Sequence, residues 1–175
     1  SVARAARARG LARRITLWAR RPETRAELRA QPWVDAVADT PALAVAGADL
    51  VVLAAPVDRI IDLHREIAPH LRAGALVTDG GSVKGPICAA ARALARPGVS
   101  GPVFIGAHPM AGGAQTGWAH ASADLFAHRV CFLTPEPEAP PAAVARLRAF
   151  WSGTGATVVE TTPAKHDEIV AHISH

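Results

Sequence analysis

The amino-acid sequence predicts an α/β fold in which helices cover both faces of a mostly parallel, doubly wound sheet. Two observations support this prediction. Short apolar runs, typical of strands, alternate with segments whose apolar residues recur at helical spacing. Residues 49–55 and 75–79 are apolar along most of their length, as expected for strands buried on both faces of a parallel sheet. The alternation therefore predicts a Rossmann-like sheet with right-handed crossovers.

Each element is predicted from local signals. The start of the chain is rich in Ala and Arg and lacks acids, which is typical of a helix or of a transit peptide, and the strand pattern that follows favours the helix. Pro22 can open the next helix and Thr40 can cap the one after it. Gly74 closes the helix that begins at Asp58. The predicted extended segments are 14–19, 33–37, 49–55, 75–79, 103–107, 129–134 and 156–160, and the later helices are 22–30, 41–46, 58–71, 83–95, 142–151 and one from Thr162.

Composition limits the classes of function. The chain has 175 residues, of which 50% are hydrophobic and 19% charged, so it can form one domain with a core. Its net charge of +4 is too diffuse to favour a nucleic-acid partner. Cys88 and Cys131 lack the spacing of a metal or disulfide motif, and no apolar run is long enough to cross a bilayer. These features predict a cytoplasmic protein with a small-molecule ligand.

Ligands of doubly wound sheets bind outside the carboxyl ends of the strands, and four such ends of this chain carry informative residues. After the first predicted strand, Ala19 stands where an acid would bind the ribose hydroxyls of NAD, and Arg20 and Arg21 follow. Guanidinium groups suit the additional 2′-phosphate of NADP, although two surface arginines can also be merely solvated. We therefore predict that Arg20 and Arg21 bind NADP, with NAD as the alternative cofactor.

Two further turns can contact a cofactor. Ala54, Ala55 and Pro56 end a buried strand, where small residues let a cofactor lie against the backbone, although an ordinary strand-to-helix turn would look the same. Gly80 follows the next strand and, with a second glycine, allows a sharp turn toward a ligand. Ser82 then lies at a helix N-terminus, as a catalytic group or only as the N-cap. We predict that Ala54, Ala55, Pro56 and Gly80 bind the cofactor.

The histidines include one candidate for proton transfer. His108 directly follows a buried strand and precedes a proline and a glycine cluster, so a catalytic role and a structural role both fit. His64 and His70 are expected on the solvent face of their helix. His172 and His175 have a spacing that a metal could use, but carboxylate or thiolate partners are missing, so we predict no metal site.

Three segments together resemble the prephenate/arogenate dehydrogenase family: VVLAAPV at 51–57, TDGGSVK at 78–84 and IGAHPMAG at 105–112. Further matches follow in family order along nearly the whole chain, at Leu125-Phe126, Leu133-Thr134-Pro135, Trp151, Gly155-Ala156 and His166-Asp167-Glu168 leading to Ser174-His175. The resemblance implies NAD(P)-dependent oxidative decarboxylation of prephenate to 4-hydroxyphenylpyruvate, or of arogenate to tyrosine, in tyrosine biosynthesis.

The resemblance also implies roles for residues and regions. The family's catalytic histidine corresponds to His108, which would draw the proton from the ring hydroxyl while hydride passes from the same carbon to the nicotinamide. Its partner serine corresponds to Ser82. Residues 1–161 would form the dinucleotide-binding domain, and 162–175 would begin a helical domain through which the protein forms a homodimer. A first strand and a Gly-x-Gly-x-x-Gly loop are expected before Ser1.

Two departures from the family pattern leave substrate and cofactor open. Ala19 replaces the usual acid, which puts a preference for NAD in doubt. Gly113 and Ala114 stand where the family often has Ser or Thr and then Glu, so the sequence does not predict whether prephenate or arogenate is preferred. A β-hydroxyacid dehydrogenase or imine reductase, which would not need His108, and a non-catalytic module that senses NADP are the alternatives.

Overall fold

Helices and strands alternate along the chain in the computed structural model, which describes residues 1–95, 101–112 and 117–173. The predicted α/β fold is confirmed. Four residues that were interpreted above lie outside these ranges, namely Gly113, Ala114, Ser174 and His175.

The elements follow the predicted order, with one predicted strand divided in two. They are α1 (Val2–Ala8), β1 (Thr16–Leu17), α2 (Pro22–Arg29), β2 (Ala36–Val37), α3 (Pro41–Val45), β3 (Leu50–Leu53), α4 (Val57–Ile67), β4 (Leu76–Asp79), α5 (Gly85–Leu94), β5 (Val103–Phe104), β6 (Gly106–Pro109), β7 (Val130–Thr134), α6 (Pro141–Gly153), β8 (Thr157–Glu160) and α7 (Pro163–Ile173). Short 3₁₀ turns cover Ala68–His70 and Trp118–His120.

The described strands pair in three hydrogen-bonded groups, in the order β1–β2, β3–β4–β5 and β6–β7–β8. Pairing is parallel in the first two groups, with Val51 opposite Val77 and Leu53 opposite Asp79. In the third group β7 and β8 are parallel, whereas β6 runs antiparallel to β7. The mostly parallel arrangement is as predicted, and it brings the carboxyl ends of β3 and β4 to one edge.

The predicted strand 103–107 is divided, which corrects the sequence analysis. The N–H of Ile105 still donates to the carbonyl of Val77, at 2.9 Å, as part of the ladder with β4. From Gly106 onward the chain pairs instead with β7, with Gly106 opposite Thr134. Gly106 permits this close pairing because a Cβ built there would lie 2.5 Å from the Thr134 hydroxyl. The switch carries the next residues away from β4 and onto β7.

Two apolar clusters hold the helices against the strands. The larger one surrounds Trp151 and Leu147 of α6, which are fully buried, and it includes Ala5 of α1. The predicted helix at the start of the chain is therefore part of the core. The second cluster packs Ile60 of α4 against Val77 of β4. None of the helices in the described ranges is long and apolar enough to cross a membrane.

Helix ends have local causes. Thr40 caps α3 as predicted, because its hydroxyl accepts the N–H of Leu43 at 3.2 Å. The helix predicted over 58–71 is α-helical only as far as Ile67 and continues as a 3₁₀ turn that contains Pro69, which has no N–H to donate. Helix α5 begins at Gly85, where a carboxylate from α7 accepts its first N–H groups.

The prediction that His64 faces solvent is wrong, whereas His70 is exposed as predicted. His64 lies on the buried face of α4 together with Ile60 and Ile67, at i−4 and i+3, which is the spacing of one helix face. Its ring stacks on Phe104, with ring centroids 4.9 Å apart. Burial lowers the pKa of His64 from 6.5 to about 4. The ring is therefore neutral in the folded protein at neutral pH.

This burial predicts a pH-dependent loss of stability. As the pH falls below 6.5, His64 becomes protonated in the unfolded chain, whereas in the folded chain it stays neutral until about pH 4. The free energy of unfolding should therefore fall as the pH is lowered from 6.5 to about 4. We expect His64→Leu to remove this contribution, on the order of 3 kcal/mol. Urea unfolding at a series of pH values measures it, with His70→Leu as the exposed control. Parallel curves for wild type and His64→Leu would contradict the prediction.

Candidate active site

His108 stands at the carboxyl end of the divided strand, on β6 opposite Phe132 of β7. Its side chain is half-buried. The Nδ1 atom lies 2.9 Å from Nε2 of His166, and the two rings meet edge to face with centroids 5.1 Å apart. The Nε2 atom of His108 makes no hydrogen bond with any residue that the structure describes. One side of this imidazole is therefore anchored, and the other has no partner in the described part of the chain.

His166 of α7 is fully buried and contacts a carboxylate on its far side. Its Nδ1 atom lies 2.7 Å from Oδ1 of Asp167. The two carboxylate oxygens of Asp167 also accept the N–H of Lys84 at 2.7 Å and the N–H of Gly85 at 2.8 Å. Three elements, β6, α7 and the start of α5, thus meet beside His108.

A buried ion pair holds the backbone on which His108 is mounted. The Lys84 ammonium and the Asp79 carboxylate are both fully buried and contact each other. Lys84 Nζ also donates to the carbonyl of Ala107 at 2.7 Å, and the N–H of Ala107 donates to Asp79 at 3.0 Å. Both the backbone N–H and the carbonyl of Ala107, the residue immediately before His108, are therefore hydrogen-bonded to the ion pair.

The same carboxylate holds the neighbouring turn. Oδ2 of Asp79 accepts the N–H of Gly81 at 2.8 Å. A Cβ on Gly81 would lie 2.7 Å from the side chain of Ile87, so this close approach requires glycine. Burial raises the pKa of Asp79, and the Lys84 ammonium and the two N–H donors act against that rise. Since one carboxylate binds the residues that precede Ser82 and His108, the two turns lie side by side.

Ser82 itself is exposed, and its hydroxyl makes no hydrogen bond with a described residue, His108 included. It is also not the N-cap of α5, because that position belongs to Lys84. The structure therefore favours neither role that the sequence analysis considered for the hydroxyl. The role of Ser82 as a catalytic partner stays a prediction.

The electrostatic setting keeps His108 neutral. Burial lowers its pKa from 6.5 to about 4, and the nearby His166 and Lys84 act in the same direction, while Asp167 opposes them. At neutral pH the ring therefore carries one proton and one lone pair. A neutral imidazole with a free nitrogen can accept a hydrogen bond, and then a proton, from a bound hydroxyl.

The predicted cofactor residues fall on neighbouring turns. Ala54 and Pro56 are exposed and Ala55 is partly buried after β3, and the N–H of Gly80 donates to the carbonyl of Leu53 at 3.1 Å. The turn after β4 is thereby fastened to the end of β3. The roles of Ala54, Ala55, Pro56 and Gly80 in cofactor binding stay predictions.

The arginine pair lies on the turn after β1. Both Arg20 and Arg21 are exposed, and neither forms an ion pair with a described residue. The guanidinium of Arg25 donates to the carbonyls of Ala19 and Arg20, at 2.8 and 3.0 Å, and so braces the turn. Trp18 and Ala55 pack against the same apolar cluster, which links this turn to the end of β3. The roles of Arg20 and Arg21 in binding stay predictions.

Comparison with known proteins identifies the family. Residues 2–160 match the family described as "Prephenate dehydrogenase, nucleotide-binding domain". The chain belongs to the prephenate dehydrogenase family. The resemblance inferred from the sequence motifs is thereby confirmed.

Relatives and solved structures agree with this membership. The chain is 34% identical over 143 residues to prephenate dehydrogenase from Bacillus subtilis (strain 168). This alignment covers 81% of the chain and 38% of that protein. The crystal structure of Synechocystis arogenate dehydrogenase is similar at a TM-score of 0.88 and 31% identity, covering 99% of the chain and 60% of that structure. Prephenate dehydrogenase from Aquifex aeolicus also has a TM-score of 0.88, at 25% identity over 100% of the chain and 62% of that structure. The chain thus spans less than two thirds of each.

The contact of His166 with His108 was not predicted from the sequence. His166-Asp167-Glu168 was a family match only, whereas the structure places His166 directly against His108. The signal was present in this prephenate dehydrogenase family segment, since a His-Asp pair near the start of a helix can place both side chains near a neighbouring strand. Only the fold shows which strand that is.

In the described ranges no cluster of His, Cys, Asp or Glu could hold a metal ion.

The buried ion pair predicts a large and specific loss of stability. Lys84→Met should lower the free energy of unfolding by about 3–5 kcal/mol, because Asp79 is left charged and buried. Adding Asp79→Asn removes that charge while its amide oxygen can still accept the N–H of Ala107, so the double variant should recover part of the loss. Urea unfolding of the single and double variants measures the coupling.

The matched control for this experiment is Lys165→Met, which removes an exposed ion pair with Glu168. It should cost less than about 1 kcal/mol, because solvent screens such pairs. Equal losses of unfolding free energy in Lys84→Met and Lys165→Met would contradict the prediction that the buried ion pair contributes more to stability than the exposed one.

Proposed function

We propose that the protein is an NAD(P)-dependent dehydrogenase of tyrosine biosynthesis, which oxidatively decarboxylates prephenate to 4-hydroxyphenylpyruvate or arogenate to tyrosine. The observation that carries the proposal is the neutral His108 with its free Nε2, mounted beside the turn of Gly80 and Ser82. Relatives named prephenate dehydrogenase and arogenate dehydrogenase support the same reaction class.

The geometry supports separate roles for the cofactor, His108 and Ser82 in this reaction. A bound nicotinamide would accept the hydride from the carbon that bears the substrate hydroxyl. His108 Nε2 accepts the hydroxyl proton, and Ser82, on the adjacent turn, orients the hydroxyl or the imidazole. The electrons of the broken carbon–carboxylate bond complete the aromatic ring as carbon dioxide leaves. Anchoring of Ala107 by Asp79 and Lys84 holds the imidazole in place for this step.

The residues present fit an adenine dinucleotide that carries a 2′-phosphate. Arg20 and Arg21 offer two exposed guanidinium groups without carboxylate partners among the described residues, and Arg25 braces their turn. Ala54 and Gly80 leave room at the strand ends, since a Cβ built at Gly80 would meet nothing within 4 Å. NADP is therefore the proposed cofactor, with NAD as the alternative.

The proposal extends to the organisation of the whole protein. Residues 1–161 form the dinucleotide-binding domain, and 162–175 begin a helical domain that forms a cytoplasmic homodimer. Helix α7, which starts that segment, packs on α5 and β7 and carries His166 into the site. The second domain would therefore be attached directly to the catalytic centre.

Replacement of the proposed proton acceptor tests the activity. In the full-length protein, His108→Asn should lower turnover by at least about a hundredfold, because the amide cannot take up the hydroxyl proton. Cofactor affinity should change little, since His108 lies beyond the turns assigned to the cofactor. Steady-state rates with prephenate and arogenate, and fluorescence titration with NADPH, give the two measurements. His70→Asn, on the exposed 3₁₀ turn that follows α4, is the control, and unchanged turnover in His108→Asn would reject the role.

Cofactor preference is tested at the arginine turn. Arg20→Ala and Arg21→Ala should each raise the KM for NADP by about tenfold or more and change the KM for NAD little, because only NADP carries the 2′-phosphate. Arg13→Ala, at another exposed position before β1, is the matched control. A wild-type enzyme that strongly prefers NAD, or equal effects on both cofactors, would contradict the assignment.

A further inference from the structure

Three side chains, those of His108, His166 and Asp167, contact one another in series, beginning at the His108 ring. His108 contacts His166, and His166 contacts Asp167, at distances of 2.9 and 2.7 Å. The far end of this series is fixed, because backbone N–H groups of Lys84 and Gly85 donate to Asp167. His166 is fully buried, and the edge-to-face contact with Phe132 limits rotation of its ring.

The direction of each hydrogen bond follows from the fixed end. Although burial opposes it, the N–H groups of Lys84 and Gly85 and the contact with His166 lower the pKa of Asp167, so its carboxylate is ionised and can only accept. Nδ1 of His166 must therefore donate to it. With Nδ1 of His166 used as the donor, its Nε2 is the nitrogen that accepts from Nδ1–H of His108. His108 is left with its proton on Nδ1 and its lone pair on Nε2.

We propose that His166 and Asp167 are positioning residues that hold His108 in the tautomer whose Nε2, the nitrogen away from His166, is unprotonated. This inference rests on the proposed function, in which that nitrogen receives the substrate proton. Which ring nitrogen of a histidine carries the proton is set by the hydrogen bond of the other nitrogen, and here the partner is supplied by α7. The opposite tautomer would present an N–H to the substrate hydroxyl and could not accept its proton.

The arrangement also explains why the supporting group is a second histidine. A carboxylate placed directly against Nδ1 of His108 would add a negative charge beside the ring and favour its protonated form. The intervening imidazole of His166 accepts the hydrogen bond and adds no negative charge beside the ring, and the carboxylate of Asp167 remains one ring further away. His108 is thus oriented while its pKa stays low, at about 4.

Nuclear magnetic resonance tests the tautomer directly, without any substrate. In full-length protein labelled with ¹⁵N-histidine at pH 7.5, long-range ¹H–¹⁵N correlation spectra should show His108 protonated at Nδ1 and unprotonated at Nε2. Loss of signals in His108→Asn assigns the ring. A wild-type spectrum with the proton on Nε2 would overturn the proposal, because His166 would then be donating to His108 rather than accepting from it.

Two substitutions at His166 separate positioning from packing. His166→Leu removes the acceptor, so His108 should shift to a mixture of tautomers, and kcat should fall by about tenfold or more with the KM for NADP within twofold. His166→Gln, whose amide oxygen can accept from Nδ1–H of His108, should keep the tautomer and restore kcat to within about threefold. His172→Leu, an exposed position on the same helix, is the control.

The outcomes distinguish this inference from the proposed function. An unchanged tautomer in His166→Leu, or equal loss of kcat in the Leu and Gln variants, would reduce His166 to a packing residue and overturn the inference. Absence of turnover with both prephenate and arogenate in wild-type protein would reject the proposed function, while the wild-type spectrum would still decide the tautomer. The wild-type spectrum also keeps the inference testable if His166→Leu does not fold.

Discussion

The ammonium group of Lys84 and the carboxylate of Asp79 face each other without solvent, and both turns of the site are fastened to that contact. A buried carboxylate is costly unless its oxygens are fully used, and Asp79 uses them on Lys84 and on two backbone N–H groups. The backbone donors belong to Gly81 and Ala107, one on each turn. Removal of this ion pair would therefore release both turns together, rather than weaken one contact.

The placement of His108 follows from how the strands are divided around this anchor. Strand β5 stays with the parallel group of β3 and β4, whereas β6 crosses to β7 at Gly106. His108 is consequently built on the third group of strands, while the surface assigned to the cofactor is built at the ends of β3 and β4. The ion pair spans the junction between the two groups, since Asp79 ends β4 and Ala107 lies on β6. One buried ion pair thus connects the strand that carries His108 to the ends of β3 and β4.

Much of this arrangement was predictable from sequence, because the relevant signals are local. Apolar runs marked β3 and β4, the threonine cap marked the start of α3, and the segments around Gly80 and His108 gave the family. The burial of His64 was also encoded, since its spacing from Ile60 and Ile67 is that of a single helix face. Because histidine occurs both in cores and on surfaces, the residue type itself did not indicate the burial of His64.

Other features could not be read from any local pattern. The switch of partner at Gly106 depends on contact with Thr134, which is distant in sequence, and an apolar run looks the same whichever strand it pairs with. The contact between His108 and His166 joins positions 58 residues apart. Periodicity reports which face of an element is buried, but it does not report which element covers it.

The 58 residues between His108 and His166 have a consequence for folding during synthesis. The imidazole of His108 leaves the ribosome long before α7 is synthesised, so the nascent chain can complete much of its sheet while the ring still rotates without its supporting partner. Only when residue 166 has emerged and α7 has docked do the two rings meet. Truncated translation products that end before this helix would consequently retain most of the layered core and yet lack the contact that fixes the His108 ring.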